Sequence, residues 1–190
     1  MESHNHAALK QLAVQFLYET KGCHYIATEM QIGKYIYDVI GSDGSRVFVV
    51  EAKAEHSDFL RDCNKIDEIR NNINEYKKLL ADTGDIEYKK KIEKEREKSY
   101  KFYNPAILRL CTQSYIIAPD NEVDESEMPE GWGLLNDHLV SIVKIDPRRT
   151  EDSFAKKVVA DIAKRNTKVY MQSWGVEFGK QTVFPEIILV

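Results

Sequence analysis

The sequence predicts an α/β fold, a central sheet flanked by helices and interrupted by a helical hairpin. Three observations predict it. Val47, Phe48, Val49 and Val50 form an unbroken apolar run, the pattern of a strand buried on both faces. Residues 5–20, 57–80 and 150–165 carry apolar side chains at helical spacing. Short apolar runs return in the last third, after a long and highly charged stretch.

The bulk composition agrees with that class. The chain has 190 residues, 43% hydrophobic and 31% charged, enough for one domain with a sizeable core, so residues 1–190 are expected as a single domain. No apolar run reaches the length of a membrane span, and the first residues lack the apolar core of a signal peptide. Cys23, Cys63 and Cys111 are odd in number and far apart, which argues against a disulfide framework or a zinc site and for a reducing cytosol. The net charge of −4 is not that of a nonspecific nucleic-acid binder. A site that gathers carboxylates and surrounds them with basic residues would, however, cancel in the total.

In chain order, residues 5–20 read as a helix with Ala8, Leu12 and Phe16 along its stripe and Leu9, Ala13 and Leu17 on the flank. Gly22 caps its C-terminal end. His4, Asn5 and His6 read as a frayed polar terminus, because a nuclease motif written with those letters has them dispersed and not adjacent. Residues 24–31 and 34–40 read as strands, followed by a turn at 41–45 containing Asp43-Gly44 and an antiparallel return at 46–53.

Residues 57–80 read as one helix, with Ser57 as N-cap and Asp58 in its first turn. Its Ile66, Ile69, Ile73, Tyr76 and Leu80 form a narrow seam. A break at 82–85 leads to a second charged helix over 86–102, making a hairpin insertion at 66–104. Such a seam, over 66–102, suits a protein partner, a second copy of the chain or the hairpin's own second helix. Residues 111–118, 133–135 and 139–145 read as strands, and 150–165 as a helix through Phe154, Val158, Val159, Ile162 and Ala163. The tail carries short β-like pieces around 169–171, 176–178 and 187–190.

Asp38, Glu51 and Lys53 stand where a core hairpin should be apolar. Buried charges are costly unless paired or holding a metal. A turn centred on Gly44 and Ser45 sets Asp38 directly opposite Glu51, and one centred on Asp43 and Gly44 makes them diagonal neighbours. In either register the two carboxylates and Lys53 are expected on one face. Hard oxygen ligands of this kind suit Mg²⁺ or Mn²⁺ and metal-assisted phosphodiester hydrolysis, with the Ala52 carbonyl as a further ligand. Lys53 would orient or help deprotonate a water, or pair with phosphate oxygens. The structural alternative is a buried ion pair without chemistry.

Asp38, twelve intervening residues and then Glu51-Ala52-Lys53 resembles the signature of the PD-(D/E)xK nuclease superfamily. Thr28-Glu29, Gly33, Ser57-Asp58-Phe59, Asp62, Lys65 and the later Tyr115-Ile116-Ile117-Ala118-Pro119 extend the likeness to its MmcB-like DNA-repair branch, over about residues 10–165. So do Met128-Pro129-Glu130 and Gly133-Leu134. The resemblance implies a restriction-endonuclease-like central mixed sheet flanked by helices, and a Mg²⁺- or Mn²⁺-dependent DNA nuclease. It implies Asp38 and Glu51 as metal ligands, Lys53 as the catalytic lysine and Glu29 as an added acidic residue near the site or, alternatively, an edge-strand surface residue. Asp58 and Asp62 share one helical face, which also fits an exposed salt-bridge face. Lys65, His56 and Lys34 are candidate nucleic-acid contacts. Lys34-Tyr35-Ile36-Tyr37 replaces the family's basic run and the hairpin is an insertion, so a catalytically idle DNA-binding or protein-interaction module is the alternative.

Overall fold

Asp43 opens the turn that registers the centre of the molecule. Its Oδ1 accepts hydrogen bonds from the amides of Ser45 at 2.9 Å and Arg46 at 2.8 Å, and its Oδ2 accepts one from Arg46 Nε at 2.6 Å. Gly44 takes φ +103°, a conformation strained for any residue with a side chain. The turn joins strands β2 (Tyr35–Ser42) and β3 (Val47–Ala52), with Ser42 opposite Val47 and Val39 opposite Val50. Continued outward, this register sets Asp38 opposite Glu51, as the turn centred on Gly44 and Ser45 predicts.

The computed structural model describes residues 4–32, 35–63, 65–97, 101–102 and 105–173, with the side chains of 65–67, 96–97 and 105–106 outside the description. Around the hairpin lie four more strands: β1 (Tyr25–Ile32), β4 (Gln113–Ile117), β5 (Trp132–Leu135) and β6 (Ser141–Val143). They form one six-stranded sheet whose spatial order is the sequence order, β1 to β6. The β3–β4 and β4–β5 pairs are parallel and the other three pairs antiparallel. Every residue of β3 is buried, which its apolar run predicts.

Helices cover both faces. Val47 and Val49 share a core with Phe59, Phe102, Ile116 and Trp132, and with Ala155, Val158 and Ile162 of helix α6 (Asp152–Ser173). Phe48, Val50 and Ala52 share the other core with Leu9 and Ala13 of helix α1 (His4–Gln15) and with Tyr115 and Ile117. Each fully buried Val or Phe contributes about 1.5–3 kcal/mol of transfer free energy, so the two cores fix the sheet more firmly than any surface pair. Helix α1 runs into a wider turn at Phe16–Thr20, where the Lys21 amide donates to the Phe16 carbonyl at 3.2 Å.

Several expectations are revised. The buried line of α1 runs through Leu9 and Ala13 to Leu17, while Ala8 is exposed, so the flank of the expected stripe is its centre. The helix expected at 57–80 is described as α2 (His56–Cys63) and α3 (Lys65–Thr83), on either side of residue 64, which lies outside the described residues: α2 packs Phe59 into the core, and α3 pairs with α4 (Ile86–Glu97). The rings of Tyr76 and Tyr88 meet at 6.3 Å across that hairpin, which occupies part of the Ile/Tyr/Leu seam internally. The second helix is described over Ile86–Glu97; residues 98–100 lie outside the described residues, and 101–102, expected in the helix, are not helical, with Phe102 wholly buried in the core. A short helix, α5 (Pro105–Leu110), was not expected; a proline suits the first turn of a helix, which makes it legible in retrospect. Helix α6 extends to Ser173, so the β-like piece at 169–171 is helical, while those at 176–178 and 187–190 lie outside the described residues. The strand at 139–145 is confined to Ser141–Val143.

Candidate active site

The site is a split in the sheet. Ala27 and Ile40 are partners across β1 and β2 and belong to one core. Met30 and Tyr37, three steps along each strand, belong to the same core, although strict alternation would turn them to the opposite face. The pleat changes phase at Glu29, whose φ of +51° is rare for a non-glycine residue, and Asp38 stands opposite it.

The β2–β3 pairing also ends here, at Val39 and Val50. Beyond it, side chains take over the backbone donors. The Asp38 amide donates to Glu51 Oε1 at 3.1 Å, and the Ala52 amide donates to Asp38 Oδ2 at 2.9 Å. Each carboxylate thus commits one oxygen across the split. The other oxygens meet lysines. Glu51 Oε2, buried and with no other polar partner among the described residues, stands 2.5 Å from Lys101 Nζ. Asp38 Oδ1 stands 3.7 Å from Lys10 Nζ of α1, and His6 Nε2 lies 3.4 Å from Asp38 Oδ2.

The two carboxyls are driven in opposite directions. Burial, then the Asp38 charge, pushes Glu51 up to about 8, with Lys101 pulling the other way without cancelling them. Burial works against ionisation of Asp38 as well, but Lys101, the Ala52 amide, His6 and Lys10 outweigh it and hold this carboxyl below its ordinary value. Such opposed environments let one group stay charged while its neighbour exchanges a proton near neutrality.

Lys53 follows directly. Its amide donates to the Ile117 carbonyl at 2.9 Å, anchoring the end of β3 to β4. Its Nζ donates to Asp62 Oδ2 at 2.6 Å, lies 3.6 Å from Asp58 Oδ2 and sits 5.6 Å above the Phe102 ring. Burial disfavours the ammonium, but Asp62, Glu51 and Asp58 together raise its pKa above the ordinary lysine value. At neutral pH it is therefore a proton-bearing cation, able to orient a water or a phosphate oxygen and not to accept a proton.

The expected residues therefore meet, though not on one continuous face. Asp38 turns toward α1, Lys53 toward α2 and Glu51 toward Lys101. Asp58 and Asp62, which also fitted a solvated face, hold Lys53. Glu29 is half-exposed and reaches the group through Lys10, whose Nζ is 2.9 Å from its carboxylate; that hydrogen bond lowers the Glu29 pKa. His56 pairs its ring with Glu127 at 2.9 Å and its amide with Glu122 at 2.8 Å. Lys34 lies outside the described residues, and so does the side chain of Lys65.

The donor set fits a hard divalent cation. Asp38 and Glu51 supply carboxylate oxygens, and buried Glu51 Oε2 is met by a cation alone among the described residues. Among the described residues, three ligand-type side chains come within 4.8 Å of one another at Asp120, Asp137 and His138 instead. Asp120 also borders a cleft of about 280 Å³ lined by Asp124, Glu125 and Asn136 past the ends of β4 and β5. That cleft is acidic, which opposes a phosphate backbone.

No family model and no curated protein matches the chain. Among solved structures it is similar to a protein of unknown function from Silicibacter pomeroyi, at 13% identity and a TM-score of 0.59, with 95% of this chain and 100% of that chain covered. At such identity the likeness shows the fold alone, a mixed α/β sheet flanked by helices.

Three residues of the site escaped the sequence reading. His6 and Lys10 stand four apart on α1 and continue the line of Ala13 and Leu17, so a half-polar row beside an apolar stripe was their signal. Lys101 had a weaker one: it precedes the phenylalanine that ends the charged run.

Proposed function

We propose that the chain is a Mg²⁺- or Mn²⁺-dependent nuclease of the PD-(D/E)xK type, on a restriction-endonuclease-like fold, hydrolysing DNA phosphodiesters in repair or processing. One observation carries the proposal: the Asp38–Glu51 pair at the β2–β3 split, each carboxylate with one oxygen tied to backbone and one facing a cation. The order of motifs along the chain resembles the MmcB-like branch and supports the same assignment.

Asp38 and Glu51 would hold the ion, with the Ala52 carbonyl as a third donor. The bound ion supplies charge neutralisation at the phosphate and a more acidic water. Lys53, kept protonated by Asp62, holds a phosphate oxygen or the attacking water by donating to it. Lys10 adds positive charge beside Asp38 and offsets the approach of an anionic substrate to two carboxylates. The Phe102 ring, 5.6 Å from Lys53 Nζ and edge-on to Trp132 at 5.1 Å, gives that ammonium an apolar wall on one side.

Single- and double-stranded DNA incubated with Mg²⁺ or Mn²⁺ is expected to be cleaved, and Asp38→Ala to lower the rate at least about 100-fold. Absence of cleavage, or cleavage that survives Asp38→Ala, removes the assignment. The short Lys53–Asp62 contact favours a second reading, an idle nuclease-fold module that binds DNA or a protein partner. Saturable, metal-independent DNA binding without hydrolysis would identify it.

A further inference from the structure

The nuclease assignment has no role for Lys101, yet Lys101 closely contacts one of the two proposed metal ligands. Its Nζ stands 2.5 Å from Glu51 Oε2, a fully buried oxygen with no other polar partner among the described residues. The contact is built. Phe102, the next residue, is wholly buried, stacks edge-on against Trp132 at 5.1 Å, and accepts a 2.6 Å hydrogen bond from Trp132 Nε1 at its carbonyl. The Lys101 carbonyl accepts from the Tyr37 hydroxyl at 3.3 Å, and the ammonium sits 5.5 Å from the Tyr37 ring. Three elements thus aim one cation at one carboxylate oxygen.

That oxygen is the one the carboxylate pair has left over, since Glu51 Oε1 is committed to the Asp38 amide. A Mg²⁺ or Mn²⁺ ion binds oxygen at about 2.0–2.2 Å. An ammonium 2.5 Å from the same oxygen occupies the space and the charge that such an ion needs. Two cations cannot share that position in a site walled by Phe102 and Tyr37, because their repulsion is poorly screened there.

We propose that Lys101 is the resident counter-ion of the carboxylate pair and is exchanged for the divalent ion, so that metal loading releases its ammonium toward the substrate phosphate. This rests on the metal site proposed above. Lys101 is a positioning residue: it faces Glu51 Oε2 before the ion arrives and neutralises that oxygen once Glu51 gives up its proton, and its departure couples loading to a new anion-binding group. The chemistry involves no bond making, only the exchange of one cation for another at Glu51 Oε2.

Two measurements test it. Free Mn²⁺ is followed by electron paramagnetic resonance at pH 8 under nitrogen for the wild-type chain, Lys101→Met, Lys101→Arg and Asp38→Asn. Lys101→Met is expected to bind about tenfold more tightly than wild type, and Lys101→Arg to stay within about threefold of it. Independently, acetylation of wild-type lysines is read by mass spectrometry with and without saturating Mn²⁺. Lys101 is expected to become several-fold more reactive when the ion is bound, a result that needs no variant to fold. Mn²⁺ binding that Asp38→Asn abolishes, combined with equal affinity in Lys101→Met or unchanged Lys101 reactivity, overturns the exchange and leaves the metal site standing. No binding that depends on Asp38 in any of these chains overturns the metal site and the exchange together.

Discussion

Glu51 is the residue on which the site turns. Its neutral form is favoured by burial and by Asp38, with a pKa raised to about 8. In the unfolded chain it ionises near the ordinary value of about 4.3. Between those two values the folded state holds a proton that the unfolded state has lost, so this group lowers stability progressively as pH rises from about 4.3 to 8. In metal-free buffer, Glu51→Gln is expected to flatten that slope and to be at least about 1 kcal/mol more stable than wild type at pH 8, read by urea unfolding. An unchanged slope would mean that Lys101 keeps Glu51 ionised throughout. At this scale the sequence was informative where local chemistry decides. The turn residues limited Asp38 and Glu51 to two placements, directly opposite or diagonal, and the pairing of Ser42 with Val47 selects the first. The contact of Lys101 with Glu51 was not legible, because it crosses the whole helical hairpin and depends on where Phe102 packs.

Among the elements, β5 is the most tightly constrained. A Cβ added at Gly133 would stand 2.7 and 2.8 Å from carbons of the Tyr115 ring and 2.9 Å from the Val143 carbonyl oxygen. Neither the ring, packed edge-on to Phe16 at 5.2 Å, nor the backbone of β6 can yield cheaply. Gly133→Ala is therefore expected to cost about 1–3 kcal/mol in urea unfolding, and Tyr115→Leu in the same chain to recover part of it. A cost below about 0.5 kcal/mol would show that β5 moves freely against β4. The strands and the turn between β2 and β3 followed from apolar runs and turn residues, whereas the order of the sheet rests on long-range pairing that local pattern does not carry. The phase change at Glu29 did not, since nothing in Thr28-Glu29-Met30 announces a positive φ. The expected helix end at 102 was missed for a related reason: helical propensity runs through Lys101 and Phe102, and tertiary burial of Phe102 overrides it there.

For the whole molecule, the proposed nuclease function raises the question of how an acidic chain would meet an acidic polymer. The net charge is −4, so any attraction must be local. Lys89, Lys90 and Lys91 are exposed on α4, with Lys91 also 3.4 Å from Glu87. If DNA runs along this helix, replacing all three by Gln should weaken binding and make log affinity fall less steeply with log salt, by about 0.9 for each phosphate that is no longer neutralised. An unchanged slope would direct attention to α1, where Lys10 lies beside the carboxylates. No described helix is long and apolar enough to cross a membrane, and Cys23 and Cys111 are buried thiols, in line with their spacing.

The sheet's linear order has a consequence for how the chain assembles during synthesis. Each new strand adds to the edge left by the one before it, so the sheet can grow in the direction of translation. The β2–β3 split can close once residue 52 has emerged, while Lys101 follows only after the entire hairpin. At about 5–20 residues per second that delay is roughly 3–10 s. During it, Glu51 Oε2 stands without the Lys101 ammonium, so on the proposed metal site a nascent chain in a magnesium-containing medium would meet the ion before its own lysine.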